Sequence, residues 1–118
     1  MTAAAQSNAN ALTYQDVINQ VASGEMTLLD VRDHNEVAQS GKAKGAIHIP
    51  LMQLAMQADP SHPEFHNALY TNKPVAVYCA AGGRAGMAVN TLNQLGYEMA
   101  LNVGGLGHWV QAGGPLEQ

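Results

Sequence analysis

The chain of 118 residues has few charged residues, few aromatic residues and a single cysteine. Charged residues make up 12% of the sequence, and five Lys and Arg stand against nine Asp and Glu, for a net charge of -4. Nucleic acid and acidic membrane surfaces bind to a basic face, so neither is an expected partner. One cysteine can form neither an intramolecular disulfide nor a structural zinc site. No apolar run approaches the length of a membrane span.

The hydrophobic content predicts a folded core. Hydrophobic residues make up 47% of the chain, which is ordinary for a globular protein and too high for intrinsic disorder. The length predicts a single domain over residues 12–118. Residues 1–11 lack the basic start and apolar centre of an intact signal peptide. We expect a flexible N-terminal segment and a cytoplasmic location, or a periplasmic one if an export signal has been removed.

Short apolar runs alternate with helix-like segments, and this alternation predicts an α/β fold. The expected architecture is a small parallel β-sheet flanked by helices on both faces. The predicted strands are 26–31, 46–49, 74–78 and 99–103. Helices are predicted after the caps Thr13 and Asp33, over 51–58, from Pro63 to about Leu69, over 85–95 and around Trp109. Segment 41–45 is predicted to be a loop.

The segment Cys-Ala-Ala-Gly-Gly-Arg, at 79–84, follows the clearest predicted strand and precedes the clearest predicted helix. Ligands of such folds bind at the carboxyl ends of the strands. There the thiol of Cys79 faces free backbone N–H groups and the positive end of the helix dipole, which favour the nucleophilic thiolate. The glycines allow an anion-binding nest of N–H groups, and Arg84 adds a planar cation. The predicted catalytic residues are Cys79 and Arg84, and the predicted substrate-binding residues are Ala80, Ala81, Gly82, Gly83 and Arg84.

A lone cysteine is more often an inert packing residue than a nucleophile. The position of Cys79 at a strand end and the Gly-Gly-Arg that follows favour the nucleophile, because a core cysteine needs neither. The combination suits attack on an anionic substrate.

The same loop resembles that of a known family. The pattern Cys-x-x-Gly-x-Arg, preceded by Pro-Val-Ala-Val-Tyr, resembles the active-site loop of rhodanese-type sulfurtransferases. Three further segments resemble this family in the same order, namely 28–32 with Glu36, 45–51, and 103–116. The resemblance covers most of the chain from about Leu12 onward. It implies the rhodanese fold and the transfer of sulfane sulfur.

The resemblance also implies a mechanism. The Cys79 thiolate would take the outer sulfur of thiosulfate or of a persulfide donor, and the persulfide on Cys79 would pass it to a thiol or to cyanide. Backbone N–H groups from Ala80 to Arg84 would hold the anionic sulfur, so no metal or organic cofactor is expected. The expected partners are a small sulfur-donor anion and a thiol acceptor, with a protein acceptor as a further option.

Alternative functions remain open on the sequence. Four residues lie between Cys79 and Arg84, whereas related dual-specificity phosphatases and arsenate reductases carry five, and this disfavours an oxyanion enzyme. Many thiosulfate-using loops bear a cation directly after the cysteine, where this chain has Ala80 and Ala81. A persulfide carrier for a specific partner fits the neutral loop. A non-catalytic module that binds a partner protein is disfavoured by the intact Cys79.

The remaining candidates are assigned structural roles. As the resemblance suggests, we expect Asp30 to accept loop N–H bonds and Arg32 to pair with Glu36, so that these three residues support the site. Trp109 is predicted to fill the core. No metal site is expected at the histidines, which are His34, His48, His62, His66 and His108. Five methionines are predicted to pack in the core, namely Met26, Met52, Met56, Met87 and Met99.

Overall fold

The computed structural model describes residues 12–118, so the expectation of a flexible segment at 1–11 lies outside the described residues. Within this part of the chain the helices are α1 (Tyr14–Ser23), α2 (His34–Ser40), α3 (Leu51–Gln57), α4 (Gly83–Gln94) and α5 (Leu106–Gln111). The strands are β1 (Thr27–Asp30), β2 (Lys42–Ala43), β3 (Ile47–His48), β4 (Val75–Cys79), β5 (Ala100–Gly105) and β6 (Leu116–Glu117). Four strands form a parallel sheet in the order β3-β1-β4-β5, and β2 pairs with β6 in antiparallel fashion. The predicted α/β fold with a parallel sheet is confirmed.

The sheet buries both of its faces, because successive side chains of a strand point to opposite sides. Leu29 and Val77 lie in one core cluster with residues of α3 and α4. Leu28 and Tyr78 lie in a second cluster, which contains Val17 of α1. Trp109 of α5 belongs to this second cluster and is buried, as predicted. The helices therefore cover the sheet on both sides, which explains why every residue of β1 and β4 is buried.

The ends of α1 follow from local sequence. The side chain of Thr13 accepts a hydrogen bond from the N–H group of Asp16, and the Asp16 carboxylate accepts one from the N–H group of Thr13. This reciprocal capping satisfies two N–H groups that lack helical partners. Gly24 ends the helix in the left-handed region, with φ of 84°. Both helix boundaries agree with the prediction.

The helix predicted from Pro63 to about Leu69 is wrong, because this segment forms turns. Nδ1 of His62 accepts a hydrogen bond from the N–H group of Glu64, and Nδ1 of His66 accepts one from Ala68. These side chains take N–H groups that a helix would direct to carbonyl oxygens one turn earlier. The histidines thus stabilise turns where the suitability of Pro63 for the first turn of a helix predicted one.

Segment 41–45 is not entirely a loop, because Lys42 and Ala43 form β2. Their partners, Leu116 and Glu117, lie about seventy residues further along the chain. A two-residue strand has no periodicity of its own, so the sequence carried no signal for it.

The methionine prediction is largely wrong. Met26 is buried, but Met52 is 95% exposed and Met87 is 59% exposed. Met56 and Met99 are also exposed. In α3 the core contacts come from Leu51 and Leu54, so Met52 lies on the opposite face.

No helix of the described residues is long and apolar enough to cross a membrane.

Candidate active site

Cys79 is the last residue of β4, a strand that lies between β1 and β5. The loop that follows leads into α4, which begins at Gly83. Gly82 caps this helix in the left-handed region, with φ of 109°, a conformation that residues with a Cβ rarely adopt. The residue Cys79 is 1% exposed, so its sulfur lies at the base of the loop. The strand and the helix therefore aim the thiol at the start of α4, as the sequence predicts.

The sulfur of Cys79 is surrounded by backbone N–H groups. Gly82 donates to Sγ at 2.9 Å, and Ala85 donates at 3.4 Å. Burial alone would raise the pKa of the Cys79 thiol, but N–H groups of Ala85, Gly82, Ala81 and Arg84 together lower the pKa below its ordinary value. The loop therefore favours the thiolate through its own backbone N–H groups.

Gly105 lies against this loop, and the sequence did not predict this contact. It pairs with Cys79 across β4 and β5. A Cβ atom built on Gly105 would lie 2.7 Å from the carbonyl carbon of Ala80, and closer still to its oxygen. Only glycine allows the loop to pass so near to β5. The Gly-Gly doublet after the last predicted strand was the available signal in the sequence.

Arg84 and Glu36 form an ion pair beside the loop. Nη1 of Arg84 lies 2.7 Å from Oε1 of Glu36, and Nη2 lies 2.9 Å from Oε2. The hydrogen bonds from Arg84, with one from the N–H group of Asp33, lower the pKa of Glu36 to about 2. The carboxylate in turn raises the pKa of Arg84. The arrangement fixes the guanidinium between α2 and α4.

The predicted pairing of Arg32 with Glu36 is therefore wrong. Arg32 instead binds Asp30, with Nη2 at 2.8 Å from Oδ2, and both side chains are buried. Nη2 also donates to the carbonyl oxygen of Gly41 at 2.7 Å. A buried guanidinium needs the nearest buried carboxylate, and Asp30 precedes it by two residues on the same strand end. Glu36 is left free to meet Arg84.

Asp30 is the centre of a buried network. It accepts the backbone N–H group of Arg32 at 2.9 Å and the hydroxyl of Tyr78 at 2.7 Å. The Tyr78 hydroxyl also accepts the N–H group of Ala43 at 2.9 Å. The N–H bond that we expected Asp30 to accept from a loop thus comes from the backbone of Arg32. The network ties the ends of β1 and β4 together below the loop that carries Cys79.

The histidines do not gather into a metal site. His34 and His48 pack edge to face, with ring centroids 5.0 Å apart, and Nε2 of His48 is bonded to the carbonyl oxygen of Arg32. Among residues 12–118, no group of three or more His, Cys, Asp and Glu side chains is arranged to hold a metal ion. The expectation of a site without cofactor stays a prediction.

Comparisons with known proteins point to one family. The family profile described as "Rhodanese-like domain" matches residues 13–112. The mouse protein "Thiosulfate sulfurtransferase/rhodanese-like domain-containing protein 3" is 30% identical over 105 residues, which cover 84% of this chain and 67% of that protein. "Thiosulfate sulfurtransferase PspE" of Escherichia coli K12 is 35% identical over 78 residues, which cover 66% of this chain and 68% of that protein.

A solved structure has the same fold. It belongs to a protein of unknown function from Rhodopseudomonas palustris CGA009, described as a "possible tyrosine phosphatase". The TM-score is 0.76 at 32% identity, and the match covers 88% of this chain and 81% of that one.

Proposed function

The chain belongs to the rhodanese-like domain family, and from this premise we propose that it is a sulfurtransferase that carries sulfane sulfur as a persulfide on Cys79. The family includes proteins named as thiosulfate sulfurtransferases. The observation that carries the proposal is the position of the Cys79 sulfur. It lies 2.9 Å from the N–H group of Gly82, at the start of α4. These N–H groups stabilise the thiolate, which is the form that attacks sulfur.

The first step loads the sulfur. The Cys79 thiolate attacks the outer sulfur of thiosulfate, a new S–S bond forms, and the S–S bond of thiosulfate breaks. Sulfite leaves with the electron pair of the broken bond, so no oxidant or reductant is needed. The terminal sulfur of the new persulfide is an anion, and the N–H groups that hold the thiolate are suited to hold it. A persulfide donor would react in the same way and release a thiolate.

The second step unloads the sulfur. A thiolate acceptor attacks the outer sulfur of the Cys79 persulfide, takes that sulfur and restores the Cys79 thiolate. Cyanide serves as an acceptor in an assay and leaves as thiocyanate. The partners proposed are thus a small sulfur-donor anion and a thiol acceptor, which a protein could supply. The mechanism requires no metal or organic cofactor. A cytoplasmic location would keep the Cys79 thiol reduced.

Intact-protein mass spectrometry tests the proposal. Cys79 is the only cysteine of the chain, so any thiol adduct is assigned without peptide mapping. After incubation with thiosulfate we expect a gain of about 32 Da, one sulfur atom, which cyanide reverses with release of thiocyanate. The Cys79→Ser variant should show no gain. If wild type takes up no sulfur from thiosulfate or from glutathione persulfide, the proposal is overturned and a partner-binding module is favoured.

A phosphatase is the second candidate, because the similar Rhodopseudomonas palustris protein is described as a "possible tyrosine phosphatase". A nest of N–H groups also suits a phosphate oxyanion. Four residues separate Cys79 from Arg84, and Arg84 is held by Glu36. We therefore expect no turnover of p-nitrophenyl phosphate. The outcome that would favour a phosphatase has two parts. Wild type would hydrolyse p-nitrophenyl phosphate while the Cys79→Ser variant does not, and wild type would take up no sulfur from either donor.

A further inference from the structure

We propose that Asn102 is a positioning residue, which holds Gly82 so that its N–H group points at the sulfur of Cys79. The inference rests on the proposed function only in that Cys79 is the reactive group. Asn102 lies in β5 and is exposed, and neither composition nor motif singled it out. Its side chain does not touch the sulfur, so its effect on the reaction passes through the loop.

Two hydrogen bonds connect the Asn102 amide with the loop and with its own strand. Nδ2 donates to the carbonyl oxygen of Gly82 at 3.0 Å. Oδ1 accepts the backbone N–H group of Gly104 at 2.9 Å. A side-chain amide has one end that donates and one that accepts, so both contacts are satisfied in only one orientation of the amide. The side chain is thereby locked between β5 and the start of α4.

Gly82 is the residue of the loop whose geometry most needs such support. Its φ of 109° lies outside the regions that most residues populate. Its carbonyl oxygen accepts from Asn102 and also from the N–H group of Gly86 at 3.1 Å. Two donors on one carbonyl restrict the rotation of Gly82 about both of its backbone bonds. The N–H group of the same residue then keeps its 2.9 Å distance to Sγ of Cys79.

An irregularity in the sheet brings Asn102 to this place. Val77 pairs with Asn102, yet Cys79, two residues later, pairs with Gly105, three residues later. The additional residue in β5 is accommodated as a bulge, and the bond from Gly104 to Asn102 lies within it. Bulges commonly redirect side chains beside functional sites. Here the bulge leaves Asn102 next to Gly86 as well, since a Cβ built on Gly86 would meet Nδ2 at 3.5 Å.

The pH dependence of Cys79 alkylation tests the proposal without any sulfur donor. Iodoacetamide reacts with the thiolate, so its rate against pH reports the acidity of Cys79. In Asn102→Ala we expect the half-maximal pH to rise by roughly half to one unit, which is about 3- to 10-fold less thiolate below that pH. Asn102→Leu, which keeps the bulk of the side chain and removes its polar atoms, should show the same rise. Both variants are measured below their melting temperatures.

The matched control is Asn90→Ala, which removes an exposed asparagine from α4, away from the loop. Its alkylation profile should superimpose on that of wild type. If a folded Asn102 variant also superimposes on wild type, the positioning role is wrong. Because alkylation needs no donor, a shift in the Asn102 variants would stand even if wild type took up no sulfur from thiosulfate, and the two proposals fail separately.

Discussion

Arg84 donates two hydrogen bonds to the carboxylate of Glu36, at 2.7 and 2.9 Å, and so joins the first turn of α4 to α2. The pair stands beside the loop that carries Cys79. It aligns the planar guanidinium with the planar carboxylate, which is the favoured geometry for this pair of groups. Arg84 is therefore a cation of fixed direction, and the anion that fixes it comes from a helix distant in sequence.

Removal of the Glu36 charge should weaken the fold in a pH-dependent way. The pKa of Glu36 is lowered from 4.5 to about 2 in the folded chain. A lowered pKa in the folded state means that the carboxylate stabilises the fold above pH 4.5 and that this contribution disappears as the pH falls to about 2. The two side chains are 31% and 33% exposed, so we expect Glu36→Gln to cost about 1 kcal/mol or less at pH 7.

Urea unfolding of wild type and Glu36→Gln at a series of pH values checks this prediction. The difference in the free energy of unfolding should shrink between pH 4.5 and about 2. A difference that stays constant over this range would contradict the assignment of the ion pair.

The Cys79 thiol should be more acidic than an ordinary cysteine. Backbone N–H groups, among them those of Ala85 and Gly82, lower its pKa despite burial. The rate of iodoacetamide alkylation should therefore reach half of its maximum below about pH 8.5, the ordinary value for cysteine. The same measurement on the urea-unfolded chain provides the reference. Equal profiles for folded and unfolded chain would show that the loop does not stabilise the thiolate.

The substitution Gly105→Ala should reduce the rate of sulfur transfer. The reduction should be much larger than any loss of folded protein would explain. Its Cβ would collide with the backbone of Ala80 and displace the loop. A displacement of about 1 Å at a reacting group costs on the order of 100-fold in rate. Thiocyanate formation from thiosulfate and cyanide gives the measurement.

The control for this experiment is Gly107→Ala, two residues further on. A Cβ at Gly107 would meet nothing within 4 Å, and we expect transfer rates near those of wild type. If Gly105→Ala is as active as Gly107→Ala, the close approach of the loop to β5 is not needed for the reaction.

The buried hydroxyl of Tyr78 should contribute to stability rather than to chemistry. It donates to Asp30 and accepts from the N–H group of Ala43. Tyr78→Phe leaves both groups without this partner in the core, and we expect a loss of about 1–3 kcal/mol in the free energy of unfolding. Tyr70→Phe, at a position that is 52% exposed, should cost little. A Tyr78→Phe variant as stable as Tyr70→Phe would contradict the role of the network.

The candidate nucleophile could be found from the chain alone, because all parts of the pattern are contiguous. A buried strand, a cysteine, two glycines and a helix follow one another within 74–95, and the direction of a strand dictates where the next helix begins. The same locality explains why the ends of α1 were predicted from Thr13 and Gly24. The failure at 63–69 has a different cause, because histidine side chains there compete with helical hydrogen bonding, which the proline at 63 does not reveal.

Composition and local pattern thus determined the class of fold, the position of Cys79 and the nest of N–H groups around it, since these depend on neighbours in the chain. Contacts between distant residues were decided by the packed structure. Arg84 and Glu36 are 48 positions apart, and Asn102 and Gly82 are 20 apart. The sequence named Arg84 and Glu36 but paired Glu36 with the wrong arginine. Two arginines and two carboxylates allow more than one pairing, and only the order of the strands, with the burial of Arg32 beside Asp30, selects between them.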